Sequence, residues 1–310
     1  MITNIKKEVL WVLLILFSVN KVVAQTTPVF SQYMFNMMIL NPAYAGSREV
    51  PSITALYRQQ WVGIPGEPRT STLAMDMPMN NNKLGIGLQL SDDRLGLEKS
   101  TSLNLSVATH VKVSENGTLS GGLQAGFMNY RANLTQVTTF VSDPTFNVNI
   151  NKWMPAAGLG LFYNTTNFYA GISAPDILKS RLTDIETATT GVKGINDFHI
   201  FTTMGYVIDV NEDIKLKPSM LLKMASGAPA QVDFNTNVWL QNKLGLGVSY
   251  RTGDAFVGMV EFQISPQFRV GYSYDQAVSN LKTFSQGSHE FMIRYEFGSS
   301  LGNIISPRYF

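Results

Sequence analysis

The chain of 310 residues contains no cysteine, which excludes disulfides, thiolate metal ligands and the lipid anchor of a lipoprotein. Charge is also scarce, with Asp, Glu, Lys and Arg making up 15% of the residues against a hydrophobic share of 45%. The one long apolar run, Val9 to Val19, has about half of the roughly 20 residues that a spanning helix needs. The three histidines, His110, His199 and His289, stand far apart and form no H-E-x-x-H, whereas a metal centre needs three or four converging ligands. Glycine pairs such as Gly85 and Gly87, Gly158 and Gly160, and Gly245 and Gly247 complete neither a dinucleotide fingerprint nor a phosphate loop. No catalytic, cofactor-binding or metal-binding residue is therefore expected, and the glycines are assigned to close packing or curvature of a sheet.

The amino-terminal 24 residues have the three parts of a secretory signal peptide: Lys6 and Lys7, the short apolar run, then Val22 and Ala24 placed for cleavage before Gln25. This leader holds Lys6, Lys7, Lys21 and Glu8, so the remainder carries 21 basic and 21 acidic residues. A balanced chain offers no electrostatic case for a nucleic-acid partner.

After the leader the chain is rich in Phe, Tyr, Gly and Thr and reads as strands. Segments of about ten residues alternate apolar and polar side chains, the period that sends successive side chains to opposite faces of a sheet. In Gln231 to Leu240, Val232, Phe234, Thr236, Val238 and Leu240 share one face, and Gln231, Asp233, Asn235, Asn237 and Trp239 the other. Fourteen such segments begin near residues 51, 69, 83, 99, 117, 153, 167, 197, 213, 230, 243, 255, 266 and 287. Every second connection is short, as at Asn80-Asn81-Asn82, Glu115-Asn116-Gly117, Thr165-Thr166, Asn211-Glu212, Gln241-Asn242 and Pro266-Gln267, and Asn116-Gly117 predicts a type I′ turn. The intervening ones include long stretches near 132–152, 175–196 and 275–286.

These features predict an all-β transmembrane antiparallel barrel of about fourteen strands in the outer membrane, with short periplasmic turns and longer outer loops. Its charges, Arg58, Asp76, Lys112, Lys215, Lys217, Asp233, Arg251, Glu261, Arg269, Glu290 and Arg294, fall on the face assigned to the lumen. The expected divisions are a signal peptide at 1–24, an amino-terminal segment at 25–50, the barrel at 51–297 and a periplasmic tail at 298–310. The apolar, Met-rich segment 25–50 is expected to pack at or in the barrel mouth, since exposure of so much apolar surface is costly.

Certain residues stand out within this frame. Asn41, Pro42 and Gly46 are expected to shape the lead-in to the first strand, and Gln60, Trp61 and Gly63 the first outer loop, with Trp61 as an interfacial anchor. Lys223, Arg251, Asp275, His289 and Glu290 are expected to make polar contacts inside the barrel or near its outer rim. Ser288 beside His289 is the single hint of hydrolase chemistry, which also requires an orienting group and an oxyanion site that sequence does not reveal, so His289 is assigned to a strand or loop contact.

From Asn41-Pro42-Ala43-Tyr44-Ala45-Gly46-Ser47 onward the chain resembles the PorP/SprF proteins of Bacteroidota. The resemblance continues in order through Arg58-Gln59-Gln60-Trp61-Val62-Gly63, Pro68-Arg69-Thr70 and Leu84-Gly85-Ile86-Gly87. It then passes through Pro218-Ser219-Met220-Leu221-Leu222-Lys223, Gly245 to Arg251, Gly271-Tyr272-Ser273-Tyr274-Asp275 and Gly287-Ser288-His289-Glu290. The resemblance implies an outer-membrane barrel of the type IX secretion system that helps export or retain large surface proteins, including gliding adhesins. Its implied partners are outer-membrane lipid, a secreted surface protein or its C-terminal domain, and periplasmic components of the machine. The family pattern carries over no catalytic residue. A passive or substrate-specific pore is the alternative, on the mixed-charge polar face.

Overall fold

The computed structural model describes residues 30–137, 144–178, 199–225 and 228–298. The leader at 1–24, most of the tail and most of the 175–196 connection lie outside the described residues.

Apolar and polar side chains alternate through fourteen antiparallel strands. They are β1 (Ser52–Gln59), β2 (Arg69–Met79), β3 (Leu84–Leu95), β4 (Glu98–Lys112), β5 (Thr118–Ala132), β6 (Ile150–Asn164) and β7 (Phe168–Ala174). The second half has β8 (His199–Tyr206, continued as Ile208–Asp209), β9 (Ile214–Ala225), β10 (Gln231–Leu240), β11 (Leu244–Arg251), β12 (Ala255–Gln263), β13 (Phe268–Ala277) and β14 (Ser288–Glu296). Each strand pairs with its sequence neighbours, and β1 pairs with β14 from Ser52↔Glu296 to Gln59↔His289, closing the sheet. Closure satisfies the edge groups that lipid cannot hydrogen-bond. The starting points agree with the alternation in the sequence to within about three residues; β8 is the one strand interrupted, at Val207.

Both chain ends of the barrel lie at the end with the short turns, the periplasmic end in barrels of this kind. At Gln241-Asn242, φ is +51° and +54° and the Lys243 N–H donates to the Leu240 carbonyl, the features of a type I′ turn. Asn116-Gly117, where the sequence predicts that turn, has no positive φ; the strands there part earlier, and the Val113 and Ser114 N–H groups both donate to the Gly117 carbonyl. At the opposite end β5 is followed by β6, β7 by β8 and β13 by β14 after the longer stretches of sequence, and two tight connections lie there at 96–97 and 252–254.

The two faces of the sheet differ sharply. Leu103, Leu105, Val107, Leu123, Phe127, Leu159, Leu161, Phe234, Val248, Phe256 and Phe291 point outward and are exposed, while Asn104, Ser106, Gln124, Asn235 and Ser249 point inward and are buried. This inverts a soluble protein and matches a lipid-facing belt around a polar interior. Leu105→Arg, at mid-height of β4, is expected to cost about 2–4 kcal/mol, because a cation there faces hydrocarbon. Ser106→Ala, one residue along and facing inward, loses one long hydrogen bond to Gln124 (3.3 Å) and is expected to cost at most about 1 kcal/mol. Denaturant unfolding in bilayers measures both.

Candidate functional site

Among the described residues the lumen gathers most of the buried polar and charged side chains, and residues 30–50 occupy it. Every residue from Phe30 to Gly46 is buried except Ile39, which is partly so. Three single turns of 3-10 helix, Tyr33–Phe35, Met37–Ile39 and Pro42–Tyr44, fold the segment so tightly that most side chains can reach a wall. Asn41 caps the third: its side-chain oxygen accepts the Ala43 N–H at 3.0 Å while its amide donates to the Leu161 carbonyl at 2.9 Å. Pro42 follows at the first helical position, where its missing N–H costs nothing. Gly46 ends the run at φ +75°, against the backbone of Gly85 and Pro78.

The wall is cut to fit. A Cβ on Gly85 would strike the Ala45 carbonyl, one on Gly122 the backbone of Pro42 and Ala43, and one on Gly160 the Asn41 amide. Gly271 makes the same allowance for Gln32. The strand glycines thus clear space for the inserted segment. Ser173 Oγ donates to the Leu40 carbonyl at 2.7 Å, Asn235 donates to the Tyr33 hydroxyl at 2.8 Å, and His110 Nε2 lies 3.0 Å from the Ala45 carbonyl. Contacts therefore come from strands on every side.

Two charged groups hold the segment. In the outer half, Arg58 of β1 pairs with Asp275 of β13 at 2.7 Å and with Glu290 of β14 at 3.0 Å. Arg251 of β11 joins them, 3.0 Å from Asp233 and 3.4 Å from Asp275. Ser31 sits in the middle: its N–H donates to Glu290 at 2.9 Å, its hydroxyl donates to Asp275 at 2.7 Å, and the same oxygen accepts from Arg58 and Arg251. The Gln32 N–H takes the other Glu290 oxygen at 2.8 Å. In the periplasmic half, Asp76 accepts the Gly46 N–H at 2.9 Å, and Arg48 binds Glu296 at 3.1 Å and the Phe35 carbonyl at 2.9 Å. Nearby, Trp239 lies between the Lys217 ammonium at 4.4 Å and the Arg269 guanidinium at 4.8 Å. Arg269 is also 3.1 Å from Glu261, an ion pair without hydrogen-bond alignment.

Of the residues singled out in the sequence, Arg251, Asp275 and Glu290 meet in this network. Lys223, buried, lies on the lumen face of β9 with Ser219, and Pro218 faces outward between them and Lys217. Gln60, Trp61 and Gly63 lie in the first outer loop, where the Gln60 N–H donates to Pro68, the Trp61 N–H to the Ser288 hydroxyl at 3.1 Å, and the Gly63 N–H to Glu67 at 3.1 Å. Ser288 points inward, whereas His289 points outward and pairs with the Tyr272 hydroxyl at 2.8 Å. Ser288 and His289 thus lie on opposite faces of the sheet and form no dyad. Ser31, Gln32 and Arg48 are the residues that sequence reasoning missed; their partners lie far along the chain, and no local pattern marks them. Among the described residues no group of His, Asp and Glu is arranged to hold a metal.

The sequence profile of the family described as type IX secretion system membrane protein PorP/SprF matches residues 22–295. Among solved structures, the chain is similar to the CymD monoaromatic hydrocarbon channel, with 12% identity over 88% of this chain and 94% of that one and a TM-score of 0.50. It is also similar to Omp33 of Acinetobacter baumannii (10% identity, 80% and 98% covered, TM-score 0.43) and to the KdgM porin (10%, 79% and 99%, TM-score 0.41). These likenesses bear on the fold alone. A comparison with curated proteins gives no match.

Arg58→Ala would leave two buried carboxylates without their shared cation, at an expected cost of about 3–5 kcal/mol. It is also expected to free residues 30–50 for proteolysis in the folded barrel, read by mass spectrometry of the cleaved fragments. In the outer loop, hydrogen bonds from Arg69 and Gln59 hold the Glu67 carboxyl below its ordinary value of 4.5. Its contribution to loop order is present above that value and lost as pH falls through the lower folded one. Protection of the Gly63 N–H, its exchange rate measured against the intrinsic rate at each pH, is therefore expected to fall as pH drops below about 4.5, and Glu67→Gln to abolish that pH dependence.

Proposed function

Because the chain belongs to the PorP/SprF family of type IX secretion system membrane proteins, we propose that it is a plugged, non-conducting outer-membrane barrel. On this reading it helps to export large secreted proteins or keep them at the surface by binding them or the secretion machinery, with gliding-type adhesins as cargo. It is exported with its leader, which is cut before Gln25. The observation that carries the proposal is the filled lumen: residues 30–46 are packed against the wall, hydrogen-bonded through Ser31 to the buried carboxylates of the outer half and held in the periplasmic half by Asp76 on Gly46 and by the Arg48–Glu296 pair that follows. A solute channel needs an open path, and a barrel stopped by its own chain is instead suited to present its rims and loops to other proteins.

The second reading is a substrate-specific pore, supported by the charged lumen face. Planar bilayers separate the two. The wild-type protein is expected to pass no current, and a variant deleted for residues 30–48 to pass a stable one. Steady conductance by the wild type would overturn the plugged reading. Loss of the gene is expected to deplete surface adhesins while general outer-membrane composition persists; unchanged surface proteins would count against the secretion role.

A further inference from the structure

The lipid-facing side of the barrel carries almost no charge, and the exception is concentrated. Among the described strand residues, those that are charged and point outward are Arg69, Asp92, Arg94, Lys99 and Arg131, at the outer ends of β2, β3, β4 and β5. Every other charge in the strands faces the lumen. The outward direction follows from alternation: Arg94 shares its face with Leu88 and Leu90, Lys99 with Leu103 and Leu105, and Arg131 with Leu123 and Phe127.

The register makes these four cations one feature. Arg69 stands opposite Arg94, Arg94 opposite Lys99, and Lys99 opposite Arg131, so they form an unbroken row across four neighbouring strands. With strands spaced about 4.8 Å apart, the row is roughly 14 Å long. Like charges directly opposite one another are unfavourable in a sheet. Asp92 relieves part of this, 3.2 Å from Arg94 and 2.9 Å from Lys99, and Glu67 is 2.9 Å from Arg69. Arg131 has no carboxylate partner among the described residues; it donates to the Asn129 side chain. Two acids against four cations leave the row positive. The side chains of Arg69 and Arg94 are 54% and 61% exposed, so both guanidinium groups retain free donors.

Height decides what could supply the missing negative charge. Directly below the row, toward the membrane centre, lies the apolar belt, and Trp153 beside it is 71% exposed on the same face. Exposed aromatic residues of this kind mark the level where acyl chains meet headgroups. Just above it, the Gly96 N–H donates to the Gly66 carbonyl at 2.9 Å and ties the first outer loop to the β3–β4 hairpin, which fixes the rim. A positive row at headgroup level on the outer leaflet calls for an anionic lipid, and guanidinium groups match phosphate in charge and in paired donors.

We propose that Arg69, Arg94, Lys99 and Arg131 form a binding site for the phosphate of an outer-leaflet glycolipid, fixing the lipid against the β2–β5 wall.

The test uses the full barrel in detergent, with lipid A carrying its phosphate as the probe and native mass spectrometry as the readout of lipid retained. The wild type is expected to retain this lipid, and treatment of the lipid with phosphatase to reduce retention about tenfold or more. The variant with Arg69→Gln, Arg94→Gln, Lys99→Gln and Arg131→Gln is expected to show the same loss, and a variant with the three arginines changed to lysine to keep most of the binding. Heat-modifiable gel mobility shows whether each variant is folded, and the phosphatase comparison on the wild type decides the matter even if one is not. Equal retention of the two lipid forms, equal retention by the folded glutamine variant, or displacement of the lipid by inorganic phosphate at matched phosphate concentration would overturn the proposal. Capture of an acidic protein by the row with no retained lipid would overturn it too.

Discussion

In hydrocarbon a backbone N–H or C=O has no partner except another backbone group, and this single constraint organises the rest of the molecule. It forbids an open sheet, so Ser52 to Gln59 must find Ser288 to Glu296 across more than two hundred residues of intervening chain. Once the sheet is closed, alternation leaves no freedom: each side chain faces lipid or lumen, and a slip of one residue would exchange them. The sorting of Leu, Val and Phe outward and of Asn, Ser, Arg and Glu inward follows from that.

Closure creates a second problem, because a ring of fourteen strands encloses more space than its own small inward side chains can fill. The chain answers with residues 30–50, whose Phe, Tyr and Met side chains supply the missing volume. The lumen consequently resembles the interior of a soluble protein, with aromatic contacts such as Tyr44 against Phe162 at 5.2 Å and Phe162 against Tyr169 at 5.9 Å. Near Met34, Phe35, Tyr169 and Lys217 a cavity with room for about one water remains.

Which parts of this were legible in the sequence follows from the range of the interaction. Strands are local and periodic, so Gln231 to Leu240 declares its two faces without help from the rest of the chain. The lumen charges were legible as a face but not as pairs, since Arg58 and Glu290 are 232 residues apart. The inserted segment was legible as an apolar stretch that needs cover; its path was not, because single turns of 3-10 helix leave no period and Ser31 contacts only distant carboxylates and guanidinium groups. At Asn116-Gly117 the strongest local turn signal misled, as the strand ends set by the sheet outweighed the preference of one dipeptide. The outward cation row was invisible for a related reason: Arg69, Arg94, Lys99 and Arg131 become neighbours only when the register of four strands is known.

The outer ion network links the two themes. Its members come from β1, β11, β13, β14 and the inserted segment, so it straddles the seam where the first strand meets the last. Until that seam closes, Arg58 is on one edge and Asp275 and Glu290 are near the other, and Ser31 has no complete site. Buried ion pairs contribute little net stability over well-packed apolar groups, because desolvation offsets their attraction. What they supply here is discrimination: the pairs of Arg58 with Asp275 and Glu290 form only with β1 in register on β14, and the carboxylates gain the Ser31 N–H and hydroxyl only when Ser31 is in the lumen. Closing the barrel therefore assembles the site that seats Ser31, and the inserted segment completes a network whose charges the closed wall has already paired.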